Sequence, residues 1–210
     1  GAVESDEVVV NLSATETFFP EKRLFFLEGQ EVFVSSPRAD TRGNEVGSGG
    51  APTTMVNTRR IGGRPLEPVT SSDITIHERE LRKPVDLLGA VKVTGQSGPL
   101  RYGLLAAFED DFKFDAKRFG NPFHLPSETS DYGIGRVLLE DAPGGSYKAI
   151  GVLSTVTLND RRDAKTHGLD AHYLSGNGKW KLDGQFFMSD IDDLKTGFGG
   201  FVDLEYTFRR

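Results

Sequence analysis

Residues 178–208 read GKWKLDGQFFMSDIDDLKTGFGGFVDLEYTF. Trp180, Leu182, Gly184, Phe186 and Met188 share one parity, and Lys179, Lys181, Asp183, Gln185 and Ser189 share the other. After a polar break the pattern returns, with Phe198, Gly200, Val202, Leu204, Tyr206 and Phe208 set against Gly199, Asp203, Glu205, Thr207 and Arg209. Successive side chains of a strand point to opposite faces, so each stretch presents one aromatic-rich face and one ionic face. A charged face backed by aromatics suits a barrel wall with water inside and lipid outside. A soluble sandwich or a lipocalin-like barrel also alternates, so periodicity alone leaves both readings open.

Outward from there, the chain is strand-like near 85–95, 99–109, 131–140, 146–158 and 166–175, in addition to 178–189 and 197–208. Leu87, Val91 and Val93 oppose Lys92 and Thr94, while Tyr102, Leu104, Ala106 and Phe108 oppose Arg101 and Glu109. Residues 131–158 show no decisive alternation. Gln96-Ser97-Gly98, Ala142-Pro143-Gly144-Gly145 and Gly176-Asn177-Gly178 are tight-turn signals, because Gly and Asn supply positive φ. Between them lie 109–131, 159–166 and 189–197, read as longer polar loops. Short turns at one end and long loops at the other match an outer-membrane barrel.

The first 80 residues differ in character. They hold a β-prone run at Val8, Val9, Val10 and Leu12, and an aromatic group at Phe18, Phe19, Phe25, Phe26 and Phe33. A few residues after Pro20 suit a short helix, and the glycine-rich stretch 41–52 is expected to be mobile. The expected division is 1–80, an N-terminal strand plus an irregular plug or lid, and 81–210, antiparallel barrel strands incomplete at the C-terminus.

Composition narrows the function classes. A net charge of -6 and a pI near 5.3, with no concentrated basic stripe, argue against a nucleic-acid partner. The absence of Cys excludes a disulfide scaffold and thiolate metal sites, and fits a reducing cytosol as well as an envelope protein. No apolar run reaches the roughly 18 to 20 residues of a spanning helix. The mean hydropathy of -0.37 does not count against a barrel, whose lipid face is hidden in every second residue. The opening Gly1-Ala2 lacks a charged n-region and an apolar h-region, so a signal peptide is expected to have been removed, or the chain to be an excised fragment.

Several groups carry candidate chemistry. Glu21, Lys22, Arg23 and Glu28 are interleaved with Leu24, Phe25, Phe26 and Leu27, which suits a plug or constriction with its charges facing a lumen wall. The plainer reading is a lid whose ions pair with Asp183, Asp203 or Glu205, since buried charges are ordinarily paired. Arg59, Arg60 and Arg64 form the densest cationic group, and their guanidinium forks suit carboxylates, phosphates or sugar hydroxyls. Salt bridges to acidic wall residues would account for them equally. Lys181, Asp183, Asp203 and Glu205 would line the wall beside those arginines. Asp190, Asp192 and Asp193 are a weak calcium candidate lacking the EF-hand spacing, with a solvated acidic rim as the alternative; Glu109, Asp110, Asp111 and Asp115 invite the same two readings. His77, His124, His167 and His172 show no zinc signature, and His167 and His172, five apart, face opposite sides of one strand. No nucleophile elbow, Walker loop or dinucleotide fingerprint is present, so no catalytic residue and no cofactor are expected. Trp180, Tyr102, Tyr132, Tyr147, Tyr173, Tyr206 and Phe208 fall near strand ends, as interfacial girdles of a membrane barrel would, or as core or sugar-stacking residues of a soluble one.

The stretch VESDEVVVNLSATETFFPEKRLFFLEGQEVF at 3–33, with NTRRIGG at 57–63 and LLGAVKVTGQSG at 87–98, resembles the start of the bacterial family known as domain of unknown function 5916. Its most characteristic string is here Phe19-Pro20-Glu21-Lys22-Arg23-Leu24-Phe25-Phe26-Leu27-Glu28-Gly29, and the resemblance spans roughly residues 3–108. It implies an outer-membrane β-barrel of a Gram-negative envelope, commonly preceded by a sandwich similar to carbohydrate-binding module family nine. The stretch 1–210 is expected not to include that sandwich. Bacterial single-chain barrels use even strand numbers, so either Val8–Ala14 supplies an eighth strand or closing strands lie beyond Arg210. The resemblance carries over no catalytic residue.

Together these readings lead to an antiparallel up-and-down barrel, or part of one, in the outer membrane. The expected role is non-enzymatic passage or surface anchoring linked to glycan handling, with membrane lipid and a glycan or other small solute as partners. A soluble β-sandwich or closed barrel, binding carbohydrate or a small ligand on aromatics such as Trp180 and Tyr173, is the alternative. Glycan hydrolysis by a carboxylate pair ranks third.

Overall fold

The computed structural model describes residues 21–35 and 55–208. The candidate strand at 8–14 and the glycine-rich stretch 41–52 lie outside the described residues. A four-residue helix α1 (Leu24–Leu27) is followed by 3-10 turns at Gln30–Phe33, Thr58–Arg60 and Glu80–Arg82. The strands are β1 (Ile74–Ile76), β2 (Leu87–Ser97), β3 (Leu100–Glu109), β4 (Phe112–Arg118), β5 (Asn121–Ser127), β6 (Ser130–Asp141), β7 (Tyr147–Asn159), β8 (Ala164–Leu174), β9 (Trp180–Ile191) and β10 (Gly197–Tyr206).

The protein is all-β, with every strand pair antiparallel. One sheet has seven strands in the order β10-β9-β8-β7-β6-β3-β2, and a second has three, β1-β4-β5. All seven strands expected from the sequence are present, displaced by at most two residues at their ends. Their tight turns follow local chemistry. Between β2 and β3 only Gly98 and Pro99 intervene, and Gly98 takes φ +56, the first position of a hairpin turn that tolerates little but glycine. Among the described residues the large sheet does not close, and β2 and β10 are its open edges.

The supposed long loops differ from expectation. Residues 109–131 are not a loop: they fold into the hairpin β4–β5, to which β1 adds a third strand. The alternation of Phe112, Phe114 and Ala116 with Lys113, Asp115 and Lys117 was visible, but Pro122 and Pro126 obscured the partner strand. Both prolines are tolerated because β5 is an edge strand, where a missing N–H costs no ladder bond. Much of 159–166 and 189–197 likewise belongs to strands, leaving only 160–163 and 192–196 as connections.

The two faces of the large sheet have different fates. One is covered by residues 21–35 and 55–63, whose Phe26, Val32, Phe33 and Ile61 pack against Leu105, Ala107 and Leu153. Burying a side chain of this size stabilises by about 1.5–3 kcal/mol each. Lys92 fastens the segment, its Nζ donating to the carbonyls of Phe25 and Glu28, which α1 leaves without helical partners. The other face is left open by the described residues along all seven strands.

This arrangement explains why 131–158 looked irregular. In β6 and β7 the covered face carries Leu138, Ala149 and Leu153 beside Arg136, while the open face carries Val137, Leu139, Ile150 and Val152. Exposure alternates there, but polarity does not. In β2 the alternation slips for another reason. A bulge between Leu87 and Gly89 places Leu88 on the open face and turns Leu87 toward the covered core, so Leu87 does not share a face with Val91 and Val93.

Candidate functional site

The covered face carries a band of charge beside the N-terminal segment, nearer the end with the tight turns. Cross-strand register builds it in rungs. Glu140, Ala149, His172, Asp183 and Asp203 form one, and Leu138, Gly151, Asp170, Gln185 and Phe201 the next. Lys181 pairs with Glu205 on a third. Because register has a period of two, all these residues share a face.

Arg136 is the centre of the band. Its Nη2 donates to Asp170 Oδ2 at 2.6 Å, and Nη1 donates to Oδ1, a bidentate pair in which both side chains are fully buried. His172 extends the network to β9, with Nε2 2.9 Å from Asp170 Oδ2 and Nδ1 2.7 Å from Asp183 Oδ1. Carboxylates only accept, so this ring meets both partners fully when each nitrogen carries a proton. Lys181 Nζ lies 3.3 Å from the other oxygen of Asp183. On the β3–β6 side, Arg101 pairs with Glu140 at 2.8 Å, and Tyr147 donates its hydroxyl to the same carboxylate at 3.0 Å. Arg136 Nε and Gln185 Oε1, both buried, have no hydrogen-bond partner among the described residues.

The expected wall residues Lys181, Asp183, Asp203 and Glu205 are therefore brought to one face. Arg136 and Asp170, with His172 in the linking role, join Asp183 and through it Lys181 in a network that is not apparent in the sequence. The signal was present for Asp170 and His172, which share parity on β8, but Arg136 was hidden in the stretch without polar alternation.

The expected plug residues form a separate unit. Glu21 Oε1 accepts from Arg23 Nε at 2.9 Å and from the amides of Lys22 and Arg23, and its Oε2 accepts from Arg23 Nη2 at 2.9 Å and Thr58 Oγ1 at 2.7 Å. Arg23 also donates to the carbonyls of Ile61 and Thr58, both at 2.6 Å, and its guanidinium lies 4.2 Å from the ring centre of Phe26. Burial opposes the charge on Glu21, yet the hydrogen bonds from Arg23 and Thr58 outweigh it and hold the carboxyl down to about 2. Glu21 and Arg23 thus bond to each other and to the 58–61 turn, whereas the sequence reading paired the segment's ions with Asp183, Asp203 or Glu205. Lys22 and Glu28 are exposed.

Arg59 and Arg60 lie in the 3-10 turn at the far end of the covered face, where the Arg60 carbonyl accepts from Tyr132 and Gly62 donates to Glu109 at 3.0 Å. Arg64 is exposed just beyond them. Register separates this turn from the Lys181–Glu205 end, so the arginines and the band of charge are not one cluster. The Glu109 carboxylate, read from sequence as part of an acidic rim, instead ties the segment to the sheet by accepting from Gly62, Tyr132 and Ser130. At the end of β9 Asp190 accepts from Thr196, and in the 192–196 connection Asp192 accepts from the Asp163 amide while Asp193 has a positive φ. No group of three His, Asp or Glu among the described residues is arranged to hold a metal ion. His167 and His172 do face opposite sides, His167 bonding Ser154 on the open face at 2.9 Å. His124 lies in β5, not a loop, and pairs with Asp115 at 2.9 Å.

The aromatic residues divide unequally. Trp180, Tyr102, Tyr173, Tyr206 and Phe208 are on the open face, Trp180 meeting Tyr206 at 4.6 Å between ring centres and Tyr206 meeting Phe208 at 4.6 Å. Tyr132 and Tyr147 are on the covered face, hydrogen-bonded to Glu109 and Glu140, and take no part in such a belt. A shallow depression on the open face, lined by Val91, Val93, Leu104, Ala106, Gly133 and Gly135, has no charged side chain.

The chain matches the model of the family described as Domain of unknown function (DUF5916) over residues 1–208, and it belongs to that family. A search of curated proteins and a search of solved structures each returned no match.

Proposed function

We propose that this member of the family forms part of the wall of an outer-membrane β-barrel, with the open face toward lipid and the covered face toward a plugged, aqueous lumen. One observation carries the reading: the polarity of the large sheet is inverted relative to a soluble protein. Its exposed residues include Trp180 at 46%, Phe186 at 54% and Leu204 at 65%, with Leu104, Val137, Val152 and Leu169 on the intervening strands. Its buried residues include Arg136, Asp170, Asp183 and Gln185. Monomers in water rarely leave so large an apolar face bare. From Phe198 to Tyr206 the apolar side of β10 runs ~27 Å along the strand. At a tilt of 35–45° this projects to ~19–22 Å across the membrane, most of the ~25 Å band of outer-membrane barrels. A soluble module would put those rings beneath a second layer of protein, and among the described residues no layer covers them.

The sheet order supports a further part of the reading. Since each neighbour is antiparallel, β2 and β10 run in the same direction. Joining them directly would make a parallel pair, so antiparallel closure takes an odd number of further strands and an even total. Those strands would also cover Leu24, Leu27 and Val34, which stand exposed on the N-terminal segment. The proposed role is non-enzymatic: passage or surface anchoring linked to glycan handling, with the Arg136–Asp170–His172–Asp183 network setting the polarity of the path. The glycan link rests on the companion domain usual in the family.

Fractionation of the cells that express the full chain tests the proposal. Recovery with the outer membrane and a heat-modifiable gel shift are expected, whereas a soluble, monodisperse protein made without detergent would falsify it. Planar-bilayer conductance tests the path, since removing two negative charges in an Asp183→Asn/Asp203→Asn variant should shift ion selectivity toward anions.

A further inference from the structure

The hairpin β4–β5 turns through Phe119 and Gly120, with φ of 48° and 84°. Two left-handed residues between paired strands make a type I′ turn, whose first position is ordinarily Asn, Asp or Gly. A phenylalanine there is strained, because its Cβ crowds the following carbonyl. The surroundings hold it in place. Phe119 N donates to Asp73 O at 3.2 Å, Arg118 Nε donates to Asp73 Oδ2 at 2.7 Å, and Ser71 Oγ donates to Asp73 Oδ1. A strained residue persists where its neighbours over-determine it, and such residues concentrate at functional points.

The ring held this way does nothing for the core, being 80% exposed. The guanidinium of Arg118 stands 6.0 Å from its centre, and Lys117 beside it is exposed, on a face shared with Lys113 and with Asp115, whose carboxylate pairs with His124. Asp73, the carboxylate nearest the tip, is paired with Arg118.

We infer that Phe119 is an anchor for an anionic membrane surface, its ring entering the boundary between headgroups and acyl chains while Lys117 and Arg118 meet headgroup phosphates. A protein partner fits less well. A stable protein interface buries ~800 Å² on each side around an aromatic ringed by water-excluding contacts. The tip has no such rim, since Lys117, Arg118, Gly120 and Asn121 surround the ring. A headgroup layer demands no complementary shape, and one ring with flanking cations meets its chemistry. The assignment holds whether or not the large sheet lies in a bilayer.

Trp180 is the single tryptophan of the chain, so two versions of the full protein separate the questions. The native chain reports on β9, and a Trp180→Phe/Phe119→Trp version reports on the tip. Each is mixed with vesicles of phosphatidylglycerol or of phosphatidylcholine, both containing lipids brominated near the headgroup. The inference expects quenching of the indole introduced at 119 by phosphatidylglycerol vesicles, reversal by high salt, and an apparent affinity about fivefold weaker when Lys117→Ala is added. It is overturned by a solvent-exposed indole in both vesicles, by equal quenching in both, or by millimolar inorganic phosphate abolishing the signal. A silent tip with a quenched Trp180 defeats this inference alone; a quenched tip with a silent Trp180 defeats the barrel reading alone.

Discussion

The guanidinium of Arg136 lies against the backbone of Gly151, so close that a β-carbon there would stand 2.6 Å from Nη2 and 2.7 Å from Cζ. Gly151 on β7 is thus the gap through which Arg136 on β6 reaches Asp170 on β8. Gly151→Ala should push the guanidinium off its carboxylate and destabilise by about 1–3 kcal/mol. Arg136→Met alone should cost about 3 kcal/mol, because buried Asp170 loses its bidentate partner and keeps only His172, while Arg136→Met/Asp170→Leu should recover most of the loss. Urea titrations of the four proteins check this; equal stability of the single and double variants would remove the pair from the argument.

Acid should loosen the N-terminal segment through Glu21. Its folded pKa, about 2, lies below its ordinary value of 4.5, so its contribution is complete above that ordinary value and is lost as pH falls toward 2. At neutral pH the contribution is on the order of 3 kcal/mol. Glu21→Gln should lower stability at pH 7 and flatten the slope between pH 5 and 2. Unfolding followed across that range reads both effects, and an unchanged slope would count against the Glu21–Arg23 staple.

Val152 and Leu153 are sequence neighbours on opposite faces, one half-exposed and one fully buried. Leu153→Lys should prevent folding in any medium, since it buries an unpaired charge. Val152→Lys is the discriminating change: in vesicles it should cost about 2–4 kcal/mol if the open face meets lipid. In water an exposed substitution of this kind would shift stability by only about 0.5 kcal/mol. Comparing refolding in vesicles with refolding in detergent-free buffer decides between them.

Phe119→Asn should raise stability by about 1 kcal/mol, because asparagine tolerates the left-handed conformation that phenylalanine resists. The gain is expected in thermal unfolding, and it separates the conformational cost of the residue from the role of its ring.

Residues 178–208 determined by themselves that β9 and β10 exist, that they pair, and that Lys181, Asp183, Asp203 and Glu205 share a face opposite Trp180, Leu182, Phe186 and Leu204. A strand's two-residue period is a local property, so it is written in the chain wherever the two faces differ in polarity. Tertiary structure alone decided the rest. Arg136 could not be placed while its face also carried Leu138 and Leu153, because residues 21–35 and 55–63, distant in sequence, make that face partly apolar. The bulge at Leu88 reversed Leu87, and Asp73 held Phe119 in a turn its own type disfavours. Such outcomes depend on which groups meet across the fold, and no local pattern records that.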